Sequence, residues 1–508
     1  MSRIISCGFE LNSAANAMEV NGITGVGVVN TNVASGTYAA SVSSLVSGSS
    51  KRARWQISPS ANNKGPYFIR VKFRFATLPS GQNRILYLSN SATENISVMA
   101  YITIDNTGVL RLFDEDGQIG SASGPLSTNT YYTVELYFDS SGSAGAHICR
   151  ARLNYVEFAG ASNRDISGGV QNFYVGANLG LEANTTGSWN FDDVAVNDGN
   201  GSYQNSYPGE GHIVHLKPDG NSSVQWTRGG TDSGANWSQL DELPPNDITD
   251  YVESNTLNQT DDYTLENTPA GLLSLHAIKV AAVGVRSRGA GASANASYIL
   301  RFNGIETDNS AAAGQATTWR THNSPNTTLS YVLQVYDMPG TSNTKIHKSD
   351  LDAATIGIRL TATSTNPVQV SALWLMVEYD DSLLYDPVKG ALGFGVQTPT
   401  NSEVPVSYQT FTNGAGAVPS ISGDADWGKL SLPVGAEGRS KVYDFGDSNS
   451  RQYTINRDVY GTGSGAVTIQ IRGSTTAFNQ DDSSPSWTTY TTPTVQSWRY
   501  VQVRVVGA

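Results

Sequence analysis

Short segments in which apolar and polar residues alternate recur along this chain. Within residues 68–75, the four apolar side chains at 69, 71, 73 and 75 alternate with three basic ones. Successive side chains of a strand point to opposite faces of a sheet, so this period of two predicts a strand with an inward apolar face and an outward basic face. The same pattern is found at residues 134–138, 298–302, 329–335, 356–360, 467–471 and 501–505.

Two further segments, 278–285 and 373–377, are apolar on both faces, which is typical of central strands. Residues 149–158 are predicted as one more strand. Turn-forming residues separate these segments: the chain holds 51 glycines and is rich in Asn, Asp and Ser. No long amphipathic helical pattern is present. The chain is therefore predicted to be all-β, with three β-sandwich (jelly-roll) domains in series.

The domain boundaries are placed where the strand pattern breaks. The first sandwich is predicted over residues 1–205, the second over 206–380 and the third over 411–508. Residues 381–410 contain three prolines and several glycines, so they are predicted to be a connector.

The second domain carries the most specific motifs. An acidic turn, Asp-Glu-Leu-Pro-Pro-Asn-Asp at 241–247, precedes Asp-Tyr-Val at 250–252 and Asp-Tyr-Thr-Leu at 262–265, and Leu-Trp-Leu-Met-Val-Glu-Tyr closes the domain at 373–379. Together they resemble a module common in minor tail proteins and other structural proteins of tailed bacteriophages. The motifs contain no catalytic residues, so the resemblance implies a place in a virion and names no active site.

The first domain ends on Phe-Asp-Asp-Val at 191–194. With the strands before it, this segment resembles a laminin-G or concanavalin-like jelly roll over about 190 residues. That family often binds sugars, sometimes with calcium, so the resemblance makes Asp192 and Asp193 candidate calcium ligands. The alternative is structural, because Asp also caps strand ends and fixes turns.

The last 70 residues or so resemble a second family. Tyr-Asp-Phe-Gly at 443–446, Ile-Gln-Ile-Arg-Gly-Ser at 469–474, Trp-Thr-Thr-Tyr at 487–490 and Arg-Tyr-Val-Gln-Val-Arg-Val at 499–505 are similar to a discoidin-like, galactose-binding jelly roll. The resemblance rests on scaffold strands. It implies a carbohydrate-binding module of the kind found on phage tails and secreted enzymes.

The net charge of −12 argues against a protein that tracks nucleic-acid phosphates, since the only basic cluster lies at 51–54. No apolar run approaches the roughly 20 residues of a membrane span. The first residues lack the apolar core of a secretory signal. We therefore expect synthesis in a host cytoplasm and final localisation in the virion.

Cysteine and histidine offer little chemistry. Cys149 is predicted to be a buried free thiol, with a disulfide to Cys7 as the alternative. His212 and His215 are three residues apart, which places them on opposite faces of a strand, so a structural role is favoured over zinc binding.

No sequence motif of an enzyme is present: there is no nucleophile elbow, zinc-protease motif or P-loop. Four acidic pairs are interpreted as turn residues rather than catalytic acids, namely Asp114/Asp116, Asp261/Asp262, Asp424/Asp426 and Asp481/Asp482. No catalytic or cofactor-binding residue is predicted. Asp424 and Asp426 are the leading calcium candidates. Exposed aromatic rings stack on sugars, which makes Trp237, Trp427 and Trp487 the candidate glycan-binding residues.

Together these features predict a non-enzymatic structural component of a tailed-phage virion. We expect it at the tail tip, fibre or baseplate, in contact with other virion proteins, copies of itself and host surface polysaccharide. Capsid decoration or a head fibre is the alternative location. A glycan-active enzyme with carbohydrate-binding modules and a secreted adhesin are the competing classes.

Overall fold

The structure is a computed structural model of the 508-residue chain. The residues it describes are 3–13, 19–43, 50–58, 63–93, 97–178, 186–231, 233–269, 277–289, 295–302, 304–308, 320–321, 333–338, 346, 348–362, 367–380, 385–386, 391–392, 396–397, 403–404, 412–413, 420–421, 430–431, 437–439, 443–444, 451–453, 467–478, 483–491 and 494–507.

Two antiparallel sheets form the first sandwich. Its strands are β1 (Arg3–Cys7), β2 (Gly22–Thr24), β3 (Gly27–Val29), β4 (Ala39–Val42), β5 (Lys51–Gln56), β6 (Tyr67–Thr77), β7 (Asn83–Ser89), β8 (Val98–Ile104), β9 (Leu110–Asp114), β10 (Gly117–Ile119), β11 (Tyr131–Asp139), β12 (His147–Leu153), β13 (Val156–Arg164), β14 (Asn172–Asn178) and β15 (Ser188–Asp198). Sheet A has the order β13-β12-β11-β6-β15-β4-β3, with β1 also paired to β15, and sheet B has the order β10-β9-β8-β7-β14-β5-β2.

The core of the first sandwich lies between sheets A and B. The predicted inward face of β6 is confirmed, because Ile69, Val71, Phe73 and Phe75 are all fully buried. Phe9 links the two sheets, since its ring packs edge-on against Trp55 of sheet B at 6.1 Å and against Phe191 of sheet A at 5.4 Å. The alternating pattern therefore gives the orientation of β6 correctly.

The second sandwich also consists of two antiparallel sheets. Its elements are β16 (His212–Leu216), β17 (Pro218–Ser223), β18 (Thr227–Gly230), a 3-10 turn (Trp237–Gln239), β19 (Asp250–Ser254), β20 (Thr260–Leu265), β21 (Ala277–Gly289), β22 (Asn295–Phe302), β23 (Ile305–Asp308), β24 (Arg320–Thr321), β25 (Leu333–Val335), α1 (Lys348–Asp352), β26 (Thr355–Ala362) and β27 (Val368–Asp380). Sheet C has the order β18-β19-β27-β21-β24, with β16 on β27 and β25 on β21, and sheet D has the order β17-β20-β26-β22-β23.

Strand β27 is the centre of the second sandwich. Nearly all of it is buried, as its two-sided apolar pattern predicts. Trp374 is completely buried and stacks on His215 of β16, with 5.6 Å between ring centroids. Gly284 of the neighbouring β21 lies directly against the same indole ring, where a Cβ atom would fall 2.2 Å from Cε2. The absence of a side chain at Gly284 is therefore what leaves room for Trp374.

A buried ionic network joins the first two sandwiches. Glu378 of β27 pairs with Arg3 of β1 and, at 2.9 Å, with Arg70 of β6, and all three side chains are fully buried. Arg3 also donates to Asn197 at 2.6 Å, and Ser6 donates to Glu378 at 3.2 Å. These contacts satisfy the charges that the two sandwiches remove from water.

The chain divides into two compact units. One contains residues 1–270, 278–341 and 349–380, and the other contains residues 271–277, 342–348 and 381–508. The first two predicted domains thus share one unit. The predicted boundary between them, at 205/206, stays a prediction.

The strands of the second unit are β28 (Tyr385–Asp386), β29 (Ala391–Leu392), β30 (Val396–Gln397), β31 (Glu403–Val404), β32 (Thr412–Asn413), β33 (Ser420–Ile421), β34 (Leu430–Ser431), β35 (Glu437–Arg439), β36 (Tyr443–Asp444), β37 (Arg451–Tyr453), β38 (Val467–Ser474), β39 (Thr488–Thr489), β40 (Thr494–Gln496) and β41 (Tyr500–Gly507). Its largest sheet has the order β32-β35-β41-β38-β39, with β36 on β41. Ile469 and Ile471 of β38 pack against Val501 and Val503 of β41, as the alternating pattern predicts.

The prediction of an all-β chain built from antiparallel β-sandwich sheets is confirmed. Cys7 and Cys149 are both buried free thiols, as predicted for Cys149. Among the described residues, no helix has the length and apolar character needed to cross a bilayer.

Candidate functional site

A groove of about 310 Å³ opens on the outer face of sheet A, where β6 and β11 lie side by side. Lys72 and Thr133 are cross-strand partners at its centre. The residues that line it come from the β3–β4 loop, β6, β11, the β12–β13 turn, the segment before β16 and the first residue of β16: Val33, Ala34, Lys72, Tyr131, Tyr132, Thr133, Asn154, Tyr155, Glu210 and His212. Segments far apart in sequence therefore build one concave surface.

The turn between β12 and β13 supplies one wall of the groove. Asn154 and Tyr155 have φ angles of 47° and 69°, the pair of left-handed conformations of a two-residue type I′ hairpin turn. Residues 149–158 therefore do not form the single strand predicted from the sequence. The chain reverses at this turn, which places the Tyr155 ring beside β11.

Hydrogen bonds fix the three tyrosine rings of the groove. The Tyr131 hydroxyl donates to the carbonyl oxygen of Asn32, and the Tyr132 hydroxyl accepts a hydrogen bond from the Ser127 backbone N–H at 2.9 Å. The Tyr155 hydroxyl lies 3.1 Å from Thr133 Oγ1. The rings are thus held in place before any ligand arrives.

A compact ionic cluster forms the floor of the groove. Lys72 Nζ lies 2.6 Å from Glu210 Oε1 and 3.3 Å from Asp193 Oδ2. The His212 ring lies between the same two carboxylates, with Nε2 3.2 Å from Glu210 Oε1 and Nδ1 3.5 Å from Asp193 Oδ2. Two carboxylates therefore share one lysine and one imidazole.

The cluster keeps both carboxylates ionised. Burial alone would raise the pKa of Asp193, but Lys72 and His212 outweigh it and hold that pKa below its ordinary value. Burial alone would also raise the pKa of Glu210, but the hydrogen bond with His212 and the charge of Lys72 outweigh it and lower that pKa. Neither carboxyl is therefore suited to donate a proton near neutral pH.

The segment that brings Glu210 and His212 to the groove depends on a glycine. A Cβ atom at Gly211 would collide with the guanidinium of Arg70 and with Glu378 Oε1. The segment can therefore lie directly over the buried ionic network only because residue 211 has no side chain.

No protein-family model matches the chain, and neither does any curated protein. Among solved structures, a Trypanosoma rangeli sialidase is similar at 13% identity and a TM-score of 0.29, over 39% of this chain and 30% of the sialidase. A mutant of the alginate lyase Aly36B in complex with alginate trisaccharide is similar at 11% identity and a TM-score of 0.27, over 39% of this chain and 98% of the lyase. The cellulose-induced protein Cip1 is similar at 17% identity and a TM-score of 0.28, over 38% of this chain and 96% of Cip1. Similarities this weak carry no argument about what this chain does.

Asp192 and Asp193, the predicted calcium candidates, lie beside the groove and hold its wall in place. Oδ2 of Asp192 accepts hydrogen bonds from the backbone N–H groups of Ala34 and Ser35, at 2.9 and 3.4 Å. Oδ1 of Asp192 accepts a hydrogen bond from the backbone N–H of Asp193 at 2.8 Å. Asp193 Oδ1 accepts the Ile213 backbone N–H at 2.8 Å. These contacts give both residues a structural role, and calcium binding by them stays a prediction. In the part of the chain that the structure describes, no three His, Cys, Asp or Glu side chains form a set that could hold a metal ion.

Glu10 anchors the same loop from the other side. Its carboxyl accepts the backbone N–H groups of Thr37 and Tyr38, at 3.0 and 3.1 Å. Burial raises the pKa of Glu10 to about 9, despite these hydrogen bonds. The folded chain thus holds a proton on Glu10 that the unfolded chain releases near pH 4.5.

This raised pKa predicts a pH-dependent stability. Between the pKa of Glu10 in the unfolded chain and its raised pKa in the folded chain, the folded state binds more protons at Glu10 than the unfolded state does. The contribution of Glu10 to the free energy of unfolding therefore falls as pH rises, by up to about 1.4 kcal/mol per pH unit. Urea denaturation of the wild type and of Glu10→Gln, from about pH 6 to about pH 8, should show the variant gaining relative stability with pH. A constant difference across that range would contradict the prediction, and Glu115→Gln, at an exposed site, is the matched control.

The predicted glycan-binding tryptophans and the remaining calcium candidates are found as follows. Trp237 is half-buried, and its backbone N–H donates to Asn221 at 3.0 Å. In the second unit, guanidinium groups lie over the Trp487 ring, that of Arg472 at 4.4 Å and that of Arg504 at 4.6 Å. Trp427, Asp424 and Asp426 lie outside the described residues. Neither Trp237 nor Trp487 is among the described residues that line the groove.

The two described acidic pairs of the first unit make structural contacts. Asp114 forms a two-pronged ion pair with Arg164, at 2.5 and 2.6 Å. Asp261 is completely buried within strand β20 and accepts four hydrogen bonds, so the prediction of a turn at 261–262 is wrong. Its neighbour Asp262 pairs with Arg301. The fourth pair, at 481–482, lies outside the described residues.

His212 and His215 lie in different surroundings, as their spacing predicts. His212 faces the groove, whereas His215 is buried against Trp374, and burial lowers the pKa of His215 to about 3. His215 is thus a neutral core side chain.

The groove residues Lys72, Tyr131 and Glu210 were not predicted as site residues. Their signal in the sequence is weak, because it consists only of an outward position on β6, a strand-end tyrosine and one acid in a Gly-rich segment.

Proposed function

We propose that this chain binds glycan through the groove on sheet A. The observation that supports this most directly is the arrangement of three fixed tyrosine rings beside a polar, charged floor. Sugars present an apolar C–H face and a rim of hydroxyl groups, so a site for them combines aromatic surface with a few oriented polar groups.

The ionic cluster favours binding over catalysis. A glycosidase needs one carboxyl that is protonated and a second that faces it across the sugar. Among the described lining residues, Glu210 is the one carboxylate on the groove surface. Asp193 is fully buried, and both carboxyls have lowered pKa values. This supports the non-enzymatic function expected from the sequence.

The glycan is proposed to be a host surface polysaccharide, and the protein an exposed component of a tailed-phage virion. The phage-like motifs of the second sandwich support this part of the proposal, and a series of antiparallel sandwiches suits a protein that presents surfaces. Mass spectrometry of purified particles tests it. A few or a few dozen copies per particle would favour the tail, and hundreds of copies would favour capsid decoration.

Glycan binding is tested with the full chain on a panel of bacterial capsule and cell-wall polysaccharides. Tyr155→Ala should weaken binding to the selected glycan by about tenfold, because an aromatic contact of about 1 kcal/mol or more is lost. Tyr155→Phe keeps the ring and should bind nearly as well as the wild type.

Tyr101→Ala is the matched control, because Tyr101 stacks on Phe113 of sheet B, outside the groove. The groove assignment fails if Tyr155→Ala binds as well as the wild type, or if no polysaccharide on the panel binds.

The competing class is a glycan-active enzyme. Purified protein incubated with the bound polysaccharide should release no reducing ends and no unsaturated sugars. Release by the wild type that Lys72→Met abolishes would replace the binding proposal with an enzymatic one.

A further inference from the structure

We infer that the groove selects uncharged, hydroxyl-rich glycans over glycans that carry carboxylate groups. The inference rests on the proposed glycan binding and adds the chemical class of the ligand. It follows from the balance of charge in the groove and from the hydrogen-bonding atoms that the protein leaves open there.

The charges of the groove leave no excess positive charge for an acidic sugar. Lys72 Nζ lies 2.6 Å from Glu210 Oε1, 3.3 Å from Asp193 Oδ2 and 3.2 Å from His212 Nδ1, so its ammonium group already faces both carboxylates of the cluster. The other two cations of β6 also have partners: Arg70 pairs with Glu378 at 2.9 Å, and Arg74 donates to Asn129 at 2.7 Å. Among the described residues that line the groove, Lys72 is the only lysine or arginine, and it already faces two carboxylates, so an added carboxylate would meet Glu210 with no second lysine or arginine in the lining to compensate.

The open hydrogen-bonding atoms match hydroxyl groups. Glu210 uses Oε1 for both Lys72 and His212, and none of the described residues donates to Oε2. Across the groove, Asn154 accepts the Thr133 backbone N–H through Oδ1 at 3.0 Å, and its amide nitrogen donates to none of the described residues. One acceptor and one donor on opposite sides suit sugar hydroxyls, which both donate and accept. A carboxylate can only accept and would repel the Glu210 oxygen.

The experiment compares two forms of the same polysaccharide. The polysaccharide that binds on the panel is prepared in an uncharged and a carboxylated form. If it carries carboxyl groups, these are methyl-esterified. If it is neutral, its primary hydroxyls are oxidised to carboxylates. Isothermal titration calorimetry on the full chain at low salt gives the two dissociation constants. The uncharged form should bind at least about tenfold more tightly.

Glu210→Gln tests the origin of the selectivity. Removing this charge should weaken the preference for the uncharged form by about tenfold, because the repulsion disappears. Glu115→Gln removes an exposed carboxylate from a turn of sheet B and should leave the preference unchanged. Thermal unfolding of each variant confirms that it is folded.

Each result has one consequence. Equal or tighter binding of the carboxylated form overturns the inference and leaves the proposed glycan binding intact. An unchanged preference for the uncharged form in folded Glu210→Gln has the same consequence. Failure of every polysaccharide to bind overturns the proposed function, and the inference falls with it.

Discussion

Glu378→Ala should destabilise the first unit by about 3–5 kcal/mol, because it leaves two buried guanidinium groups without their carboxylate. Arg3 and Arg70 both contact this carboxylate, and all three side chains are fully buried. The measurement is urea denaturation of the full chain at neutral pH, followed by tryptophan fluorescence. We expect a lower midpoint with little change in the slope.

A matched control comes from an exposed pair. Arg150 and Glu157 lie 3.5 Å apart, with side chains 42% and 40% exposed. Glu157→Ala should therefore cost no more than about 1 kcal/mol, as surface ion pairs usually do. If the two variants lose similar stability, the buried network does not hold the two sandwiches together in the way described above.

Gly284→Ala should destabilise the second sandwich by about 2–3 kcal/mol through overpacking. The added methyl group would lie 2.2 Å from Cε2 of Trp374, a ring that is completely buried and stacked on His215. Neither the central strand nor the indole can move away without disturbing sheet C.

A double-mutant cycle tests the cause. Trp374→Leu alone should cost about 2–4 kcal/mol through the cavity it leaves, but it also removes the ring atoms that meet the new methyl group. The double variant should therefore lose less stability than the sum of the two single variants. Strict additivity in urea denaturation would show that Gly284 is needed for some reason other than the space it leaves for Trp374.

The alternating pattern predicted the strands well and the environment of their outer faces poorly. For β6 it assigned the inward residues correctly, and it also assigned Arg70 and Lys72 to the outward face. Yet Arg70 is fully buried and Lys72 is 5% exposed. A period of two reports which side of a sheet a residue occupies, but it does not report what covers that side. Here Glu378 of the second sandwich and the segment before β16 cover it.

The groove escaped prediction for a related reason. The predicted glycan-binding residues are tryptophans, whereas the groove uses tyrosines placed by the β11 strand end and the β12–β13 turn. A two-residue turn with Asn at its first position is a recognisable signal, but the β-branched and aromatic residues around it obscured the break. Asp192 and Asp193 were predicted as calcium candidates, and that assignment stays a prediction. Their contacts with the β3–β4 loop and with β16 depend on tertiary packing that no local motif encodes.

The segment between the first two sandwiches has a consequence for recombination. Glu210 and His212 lie after residue 205, yet they complete a groove whose tyrosines lie before it. Exchange of the N-terminal sandwich alone, by natural recombination or by module swapping, would separate the two halves of this surface. Inheritance of the intact groove thus requires a crossover beyond residue 212.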